Sequence, residues 1–375
     1  MLRIALIGCG KISDQHVQAT RRLTDCQVVA LCDRELLMAR QLGERFRVER
    51  CFSDVAQMLA ETKPDVVHIT TPPQSHYSLA QLCLEAGANL YIEKPFTVTA
   101  EEAKGIIDLA EQKKLRVTAG HNLQFTSEML EMRRLVKNGF LGGKPVHLES
   151  HFSYGLSDRS YIGPVLGSRS HWVRRLPGQL FHNIVSHGLA KLAEHLEDEL
   201  VEVRASAHQS EQLRKMGGEE VLDELRVTLR TAGGTTAFFC FSTQLKPSLN
   251  LLRICGLKNS LVVDHTSGTV LRHVGHSDKS YLGYFLPPLR MARQHFRNAT
   301  RNILQFLRRE LYQDYGMKEL IGQFYASIRG SGPPPISYRE ILLTARIMDE
   351  IFAQISPINS PAVDNPLPVS VSAKE

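Results

Sequence analysis

The sequence predicts an α/β chain: a doubly wound parallel sheet first, then an α+β domain with an open, mainly antiparallel sheet. Three observations lead there. Residues 1–122 alternate short apolar runs with amphipathic stretches of helical length, the pattern of strands covered on both faces by crossover helices. From about residue 123, strand-like runs succeed one another with turn signals and few helices between them. The first apolar run ends in Gly8-Cys9-Gly10 at the very start of the alternating region.

Each element follows in order. Arg3–Ile7 is too uniformly apolar for an amphipathic helix and reads as a buried strand. Gly8 and Gly10 supply a tight turn and let a ligand approach the backbone. Ser13 then opens a helical pattern through His16, Val17 and Thr20, whose free N–H groups suit a pyrophosphate. Ser13 stands where a dinucleotide fingerprint has its third glycine. Gln27–Cys32 is the next strand and ends at Asp33, 23 positions after Gly10. The fingerprint places its ribose-binding carboxylate about 20 residues on. A carboxylate there accepts from the ribose diol and repels a 2′-phosphate, which favours NAD; Arg34 beside it keeps NADP open. The first domain is therefore read as a Rossmann domain over residues 1–122.

A helix is expected over Glu35–Arg45 and a short one, capped by Ser53-Asp54, through Leu59. Val66–Thr70 is a strand, Thr71-Pro72-Pro73 ends it, and Gln74–Ala86 is a helix stopped by Gly87. Asn89–Ile92 is a strand that runs into Glu93-Lys94-Pro95. Thr99 caps a helix over Ala100–Lys113, and Arg116–Gly120 is the last strand of the alternation. Ligands in such sheets lie beyond the strands' carboxyl ends, so Thr71, Pro72, Lys94, His121 and Asn122 should ring one crevice.

A second domain is expected over 123–358. A helix over Ser127–Asn138 precedes strands at Val146–Phe152, Val201–His208, Leu225–Arg230, Thr235–Phe241, Leu249–Cys255 and Ser260–Asp264. Ala232-Gly233-Gly234 and Leu257-Lys258-Asn259 read as hairpin turns. The open face of this sheet is expected to lie against the crevice or, in a homo-oligomer, against another copy of the chain. The Pro-, Val- and Ser-rich segment 359–375 reads as a disordered tail.

The chain has 375 residues and 43% hydrophobic content, enough for two cores, and a net charge of +6, too small to imply nucleic acid. Its seven cysteines are scattered, mostly in apolar runs, without Cys-x-x-Cys or metal spacing. They read as reduced core thiols of a cytoplasmic protein, and no metal site is expected. No signal peptide and no 18-residue apolar run is seen, so no membrane span is expected.

Chemistry concentrates in two places. Lys94 at a strand end can hold and polarise a hydroxyl; the plain alternative is a salt bridge with Glu93. Phe181-His182-Asn183-Ile184-Val185-Ser186-His187 puts Asn183 and His187 four apart on one helix face. His187 is a natural proton acceptor near neutrality; the plain alternative is a satisfied core histidine. Just ahead, Arg169, His171, Arg174 and Arg175 surround Trp172, which suits a substrate phosphate. Residues 286–311 carry an apolar stripe (Leu289, Phe296, Ile303, Leu307) beside a basic one (Arg290, Arg293, Arg297, Arg301, Arg308). That stretch fits an ordinary packing helix or peripheral contact with a membrane surface.

Gly-Cys-Gly-Lys-Ile at residues 8–12, Thr71-Pro72-Pro73-Gln74-Ser75-His76, Glu93-Lys94-Pro95, Asn122-x-x-Phe125 and Asn183-x3-His187 together resemble the Gfo/Idh/MocA oxidoreductase family. The resemblance implies a nicotinamide-dependent dehydrogenase acting on a hydroxyl-bearing carbon of a sugar, cyclitol or nucleotide sugar. It implies Lys94 and His187 as catalytic residues, with Asn183 in the position of an aspartate. It implies Gly8, Gly10, Lys11, Ile12, Asp33, Arg34, Thr71, Pro72, His76, Glu93 and Lys94 as cofactor contacts. Asn122, Trp172, Arg174, Arg175 and His182 would face substrate. Three departures stand out: Asn183 for aspartate, Gln124 for arginine, and Ala190 for a second aspartate. Two rival readings are an NAD-dependent glycosidase working by transient oxidation and a non-catalytic dinucleotide-binding protein.

Overall fold

Six parallel strands form the first sheet, in the order β3-β2-β1-β4-β5-β6. The computed structural model describes residues 1–156, 165–166, 168, 171–217, 221–275, 281–308, 315–330 and 332–355. In chain order the elements are β1 (Leu2–Ile7), α1 (Ser13–Arg21), β2 (Cys26–Cys32), α2 (Leu36–Phe46), β3 (Cys51–Phe52), α3 (Val55–Thr62), β4 (Val66–Ile69), α4 (His76–Glu85), β5 (Asn89–Ile92), α5 (Ala100–Gln112) and β6 (Val117–Ala119). Ile4–Ile7 and Val66–Ile69 are buried on both faces, which explains their unbroken apolar character. Strand order reverses between β1 and β4, and the loops after them diverge there to open a crevice. Asp54 and Thr99 cap α3 and α5 as expected, accepting from the amides of Gln57 at 2.7 Å and Glu102 at 3.2 Å. Strand β3 was not expected, because two residues carry no readable period. Helix α4 starts at His76, later than expected, because Pro73–Ser75 form a 3₁₀ turn.

The second sheet has seven strands in the order β13-β12-β11-β7-β10-β9-β8. They are β7 (His147–Ser153), β8 (Leu200–His208), β9 (Glu224–Thr231), β10 (Thr236–Ser242), β11 (Asn250–Cys255), β12 (Asn259–Asp264) and β13 (Thr269–Val274). All pairs are antiparallel except β7 with β10, so the sheet is mixed. The edge strand β13 was not among the expected strands. Helix α6 (Ser127–Lys137) leads into the sheet; α7 (Gln179–Ile184) and α8 (Ser186–Ala193) precede β8, and α9 (Glu211–Lys215) follows it. Helix α8 lies on β7 and β10, where Gly188 is required: a Cβ there would stand 2.2 Å from the Phe239 ring. On β7, Leu148, Ser150 and Phe152 face this helix layer while His147, Glu149 and His151 stay half-exposed on the open face.

Three helices close the chain: α10 (Leu282–Leu307), α11 (Tyr315–Ile328) and α12 (Tyr338–Ile355). Helix α11 returns to the first domain, where Met317, Leu320, Ile321, Phe324 and Tyr325 join its core. Helix α12 bridges both cores, with Ile341 in the first and Ile347, Met348, Ile351 and Phe352 in the second. The boundary expected at residue 122 is therefore not a clean cut: the first core is completed by residues more than 190 positions later. The tail 359–375, Arg169 and residues 309–311 of the basic stretch lie outside the described residues.

Candidate active site

The crevice begins at the β1 turn. Gly8 has φ +97°, and a Cβ on it would sit 2.9 Å from the Thr70 and Thr71 backbone, so only glycine fits. A Cβ on Gly10 would meet nothing within 4 Å, which leaves open space in front of the turn. Ser13 donates through Oγ to the Gly10 carbonyl at 2.5 Å, a bond that the fingerprint glycine could not make. Asp33 ends β2 with Oδ2 accepting from the Cys9 amide at 2.7 Å and Oδ1 from the Glu35 amide at 2.9 Å. These bonds aim a carboxylate at the same mouth, and Arg34 and Lys11 are exposed beside it, with Ile12 partly so. Open space over Gly10, the N-terminus of α1 and the oriented Asp33 carboxylate fit a dinucleotide. Thr71 is half-buried and Pro72 exposed at the β4 end of the mouth. His76 is buried, and its ring nitrogens face the carbonyls of Thr71 at 2.8 Å and Phe96 at 3.1 Å. It ties two crevice loops together and presents no open edge.

Lys94 crosses from the first domain to the second. Its Nζ donates to the main-chain carbonyl of Asn183 at 3.1 Å, in the last turn of α7 where helix carbonyls lack intrahelical partners. The helix breaks at Val185, so Asn183 and His187 belong to two successive helices rather than one. Lys94 and His187 are both partly exposed at this junction. Burial holds the His187 imidazole well below its usual pKa, and the charges of Lys94, His121, Lys191 and His265 push it further down. His187 is thus a neutral base facing an ammonium, with no carboxylate among these influences. Burial also lowers Lys94, while Glu93 pulls it back up.

Several residues that shape this site were not read from the sequence. Lys191 is fully buried one turn beyond His187, with Nζ donating to Asn250 Oδ1 at 2.9 Å and lying 5.9 Å from the Phe152 ring centre. Burial brings its pKa down to about 7, against a smaller opposing pull from Glu128. Glu128 in turn accepts from His265 Nδ1 at 2.8 Å. A lone lysine in the apolar run Gly188-Leu189-Ala190-Lys191-Leu192-Ala193 was the available signal. Gln124, where the resemblance has arginine, donates to Glu194 Oε2 at 3.0 Å, and Glu194 pairs with Arg133. Arg133 brings a guanidinium to this corner from α6.

Behind Lys94 runs a buried chain of hydrogen bonds. Glu93 Oε1 meets His16 Nε2 at 3.0 Å, His16 Nδ1 meets His68 Nδ1 at 2.9 Å, and His68 Nε2 meets the Tyr325 hydroxyl at 2.9 Å. Burial raises the Glu93 carboxyl, but His16 and Lys94 outweigh it, so Glu93 stays ionised. A carboxylate only accepts, so His16 donates to it through Nε2, and the chain continues through His68 to the Tyr325 hydroxyl. Helix α11 thereby orients the residue next to Lys94.

The remaining expected residues divide. Gln74 donates to the Trp172 carbonyl at 2.9 Å, which brings the arginine loop against the cofactor-domain crevice. In that loop Arg175 is exposed, whereas Arg174 donates through Nε to the Val165 carbonyl at 2.8 Å. Asn122 is half-buried beside His121, and its Oδ1 has no partner. His182 is enclosed: it stacks on Phe352 at 4.9 Å and faces the Thr97 carbonyl at 3.4 Å. The expectation that it touches substrate is corrected to interdomain packing.

Comparison with known proteins bears on both domains. Residues 2–121 match the family model for an oxidoreductase family with an NAD-binding Rossmann fold, and residues 129–262 match the GFO/IDH/MocA C-terminal domain. The chain is 33% identical to the D-glucoside 3-dehydrogenase of Escherichia coli over 142 residues, 38% of this chain and 40% of that protein. It is 33% identical to the D-apiose dehydrogenase of Paraburkholderia graminis over 138 residues, 37% of each. These matches span about two fifths of the curated relatives. Among solved structures, it shares its fold with the WlbA dehydrogenase of Bordetella pertussis in complex with NADH and UDP-GlcNAcA. That TM-score is 0.75 at 17% identity, covering 94% of this chain and 95% of the other. The UDP-N-acetylglucosamine 3-dehydrogenase GnnA of Acidithiobacillus ferrooxidans gives 0.70 at 19% identity, covering 95% and 98%. With both domain models matched in order, and the crevice placed where a doubly wound sheet puts it, the chain belongs to the Gfo/Idh/MocA oxidoreductase family.

Proposed function

We propose that this chain is an NAD-dependent dehydrogenase that moves a hydride to or from a hydroxyl-bearing carbon of a sugar or nucleotide sugar. The reading is supported by the neutral imidazole of His187, held down by burial and by the charge of Lys94, whose Nζ donates to the Asn183 carbonyl beside the α7–α8 junction. The nicotinamide supplies or accepts the hydride when bound. In the oxidising direction, His187 accepts the hydroxyl proton; its depressed pKa keeps it unprotonated at neutral pH. Lys94 donates to the same oxygen and stabilises the charge that builds there. Arg175, exposed at the mouth, supports a substrate carrying phosphate, and the curated and structural relatives that act on UDP-sugars support the same class. The names of the relatives lend no support to the glycosidase reading. The half-exposed face of the second sheet is the surface through which we expect two copies to pair.

The test is NADH formation from a panel of free and UDP-linked sugars. Lys94→Ala and His187→Ala should each lower kcat/KM by about 10²–10⁴. The double variant should fall little further, because both act on one proton transfer. Arg175→Ala should raise KM for a UDP-sugar and leave that for NAD unchanged. No turnover across the panel would leave a non-catalytic binding protein; full activity in His187→Ala would remove the proposed base.

A further inference from the structure

Helix α10 is amphipathic in the inverted sense. Its polar side chains hold it to the edge strand β13: Gln294 accepts from the Arg272 amide at 2.8 Å and donates to the Arg272 carbonyl at 3.0 Å. Asn298 donates to the Val270 carbonyl at 3.0 Å. Gln294 thus pairs the open edge as a neighbouring strand would. The apolar side chains point the other way. Phe285, Leu289, Phe296, Ile303 and Leu307 recur at spacings of four and seven on one face and are 59–77% exposed. An uncovered apolar stripe along a 26-residue helix marks an interaction surface.

Charge decides what covers it. No aspartate or glutamate occurs in residues 282–308, while Arg290, Arg293, Arg297, Arg301 and Arg308 line the flank of the apolar face. Beneath them lies a groove of about 870 Å³ whose walls include Arg134 and Arg272, both paired with Glu131, so the net positive charge comes from the arginines of the helix itself. Arg301 donates to the Gly268 carbonyl through Nη2, but its buried Nε has no partner. The same helix of a second copy would set arginines against arginines. No described helix is long and apolar enough to cross a membrane.

We infer that α10 docks the protein on an anionic phospholipid bilayer. The Phe and Leu side chains enter the headgroup boundary, and the arginines engage lipid phosphates. The expectation of membrane contact through 286–311 narrows here to a helix lying flat with its apolar face outward.

Vesicle co-sedimentation of the full chain tests this. Vesicles of phosphatidylcholine with phosphatidylglycerol should pull the protein down, and pure phosphatidylcholine should not. Leu289→Ser with Phe296→Ser, both on an exposed face, should abolish binding. Arg293→Glu with Arg297→Glu should weaken it by at least about tenfold. Added inorganic phosphate should not release the protein, because the apolar face still holds it. Equal binding to both vesicles, no binding to either, or release by phosphate would overturn the inference. So would a dimer, seen by light scattering, that Leu289→Ser with Phe296→Ser splits.

Discussion

Replacing Lys191 by methionine tests how the base is kept neutral. The lysine is fully buried one turn from His187, and burial moves its pKa from 10.5 to about 7. A difference of about 3.5 units corresponds to about 5 kcal/mol that the folded protein gives up to hold the charge at or below pH 7. The folded pKa is the lower one, so between pH 7 and 10.5 the unfolded chain binds more protons and stability rises with pH. That contribution is complete above the unfolded pKa and is lost as pH falls toward 7. Lys191→Met removes it and keeps the volume and the Phe152 contact. Urea unfolding of both proteins at a series of pH values should show the wild-type stability climbing relative to the variant. The slope should be about 1.4 kcal/mol per pH unit across that window, and flat below it. A second readout sits in the active site. The Lys191 charge helps depress His187, so in the variant the His187 pKa rises and the acid limb of kcat/KM moves to higher pH. A stability difference independent of pH would refute the reasoning, because it would mean that Lys191 is not charged against its surroundings.

Three further outcomes are expected. Gly10→Ala should leave the melting temperature unchanged and weaken NAD binding at least about tenfold, since its Cβ enters only the open space of the crevice. Gly8→Ala should destabilise the fold by about 1–3 kcal/mol or more through its positive φ; calorimetry with NAD titration separates the two. Tyr325→Phe removes the hydroxyl that ends the buried chain on His68 and should cost about 1–2 kcal/mol. It should lower kcat without changing NAD affinity, whereas wild-type kcat would show that the chain does not position Lys94.

The parallel sheet was legible because its strands are buried on both faces, so Arg3–Ile7, Val66–Thr70 and Asn89–Ile92 announce themselves by composition alone. The crevice followed, since Gly8, Gly10, Asp33 and Lys94 each fall at a strand's carboxyl end, which is a matter of chain order. Even the inverted helix showed its two stripes in sequence, although not which one faces the protein. What sequence could not show is what distant segments do to one another. His182 and His187 look equally functional in one dimension; Phe352 encloses the first, while the second stays partly exposed and under the charge of Lys94. Lys191, Gln124 with Glu194, and the Tyr325–His68–His16–Glu93 chain join residues 52 to 257 positions apart or bury a charge in a helix that reads as apolar. Local patterns report the faces of an element, whereas the pKa of a base depends on charges and burial contributed by every element packed around it, and only the tertiary structure assembles those.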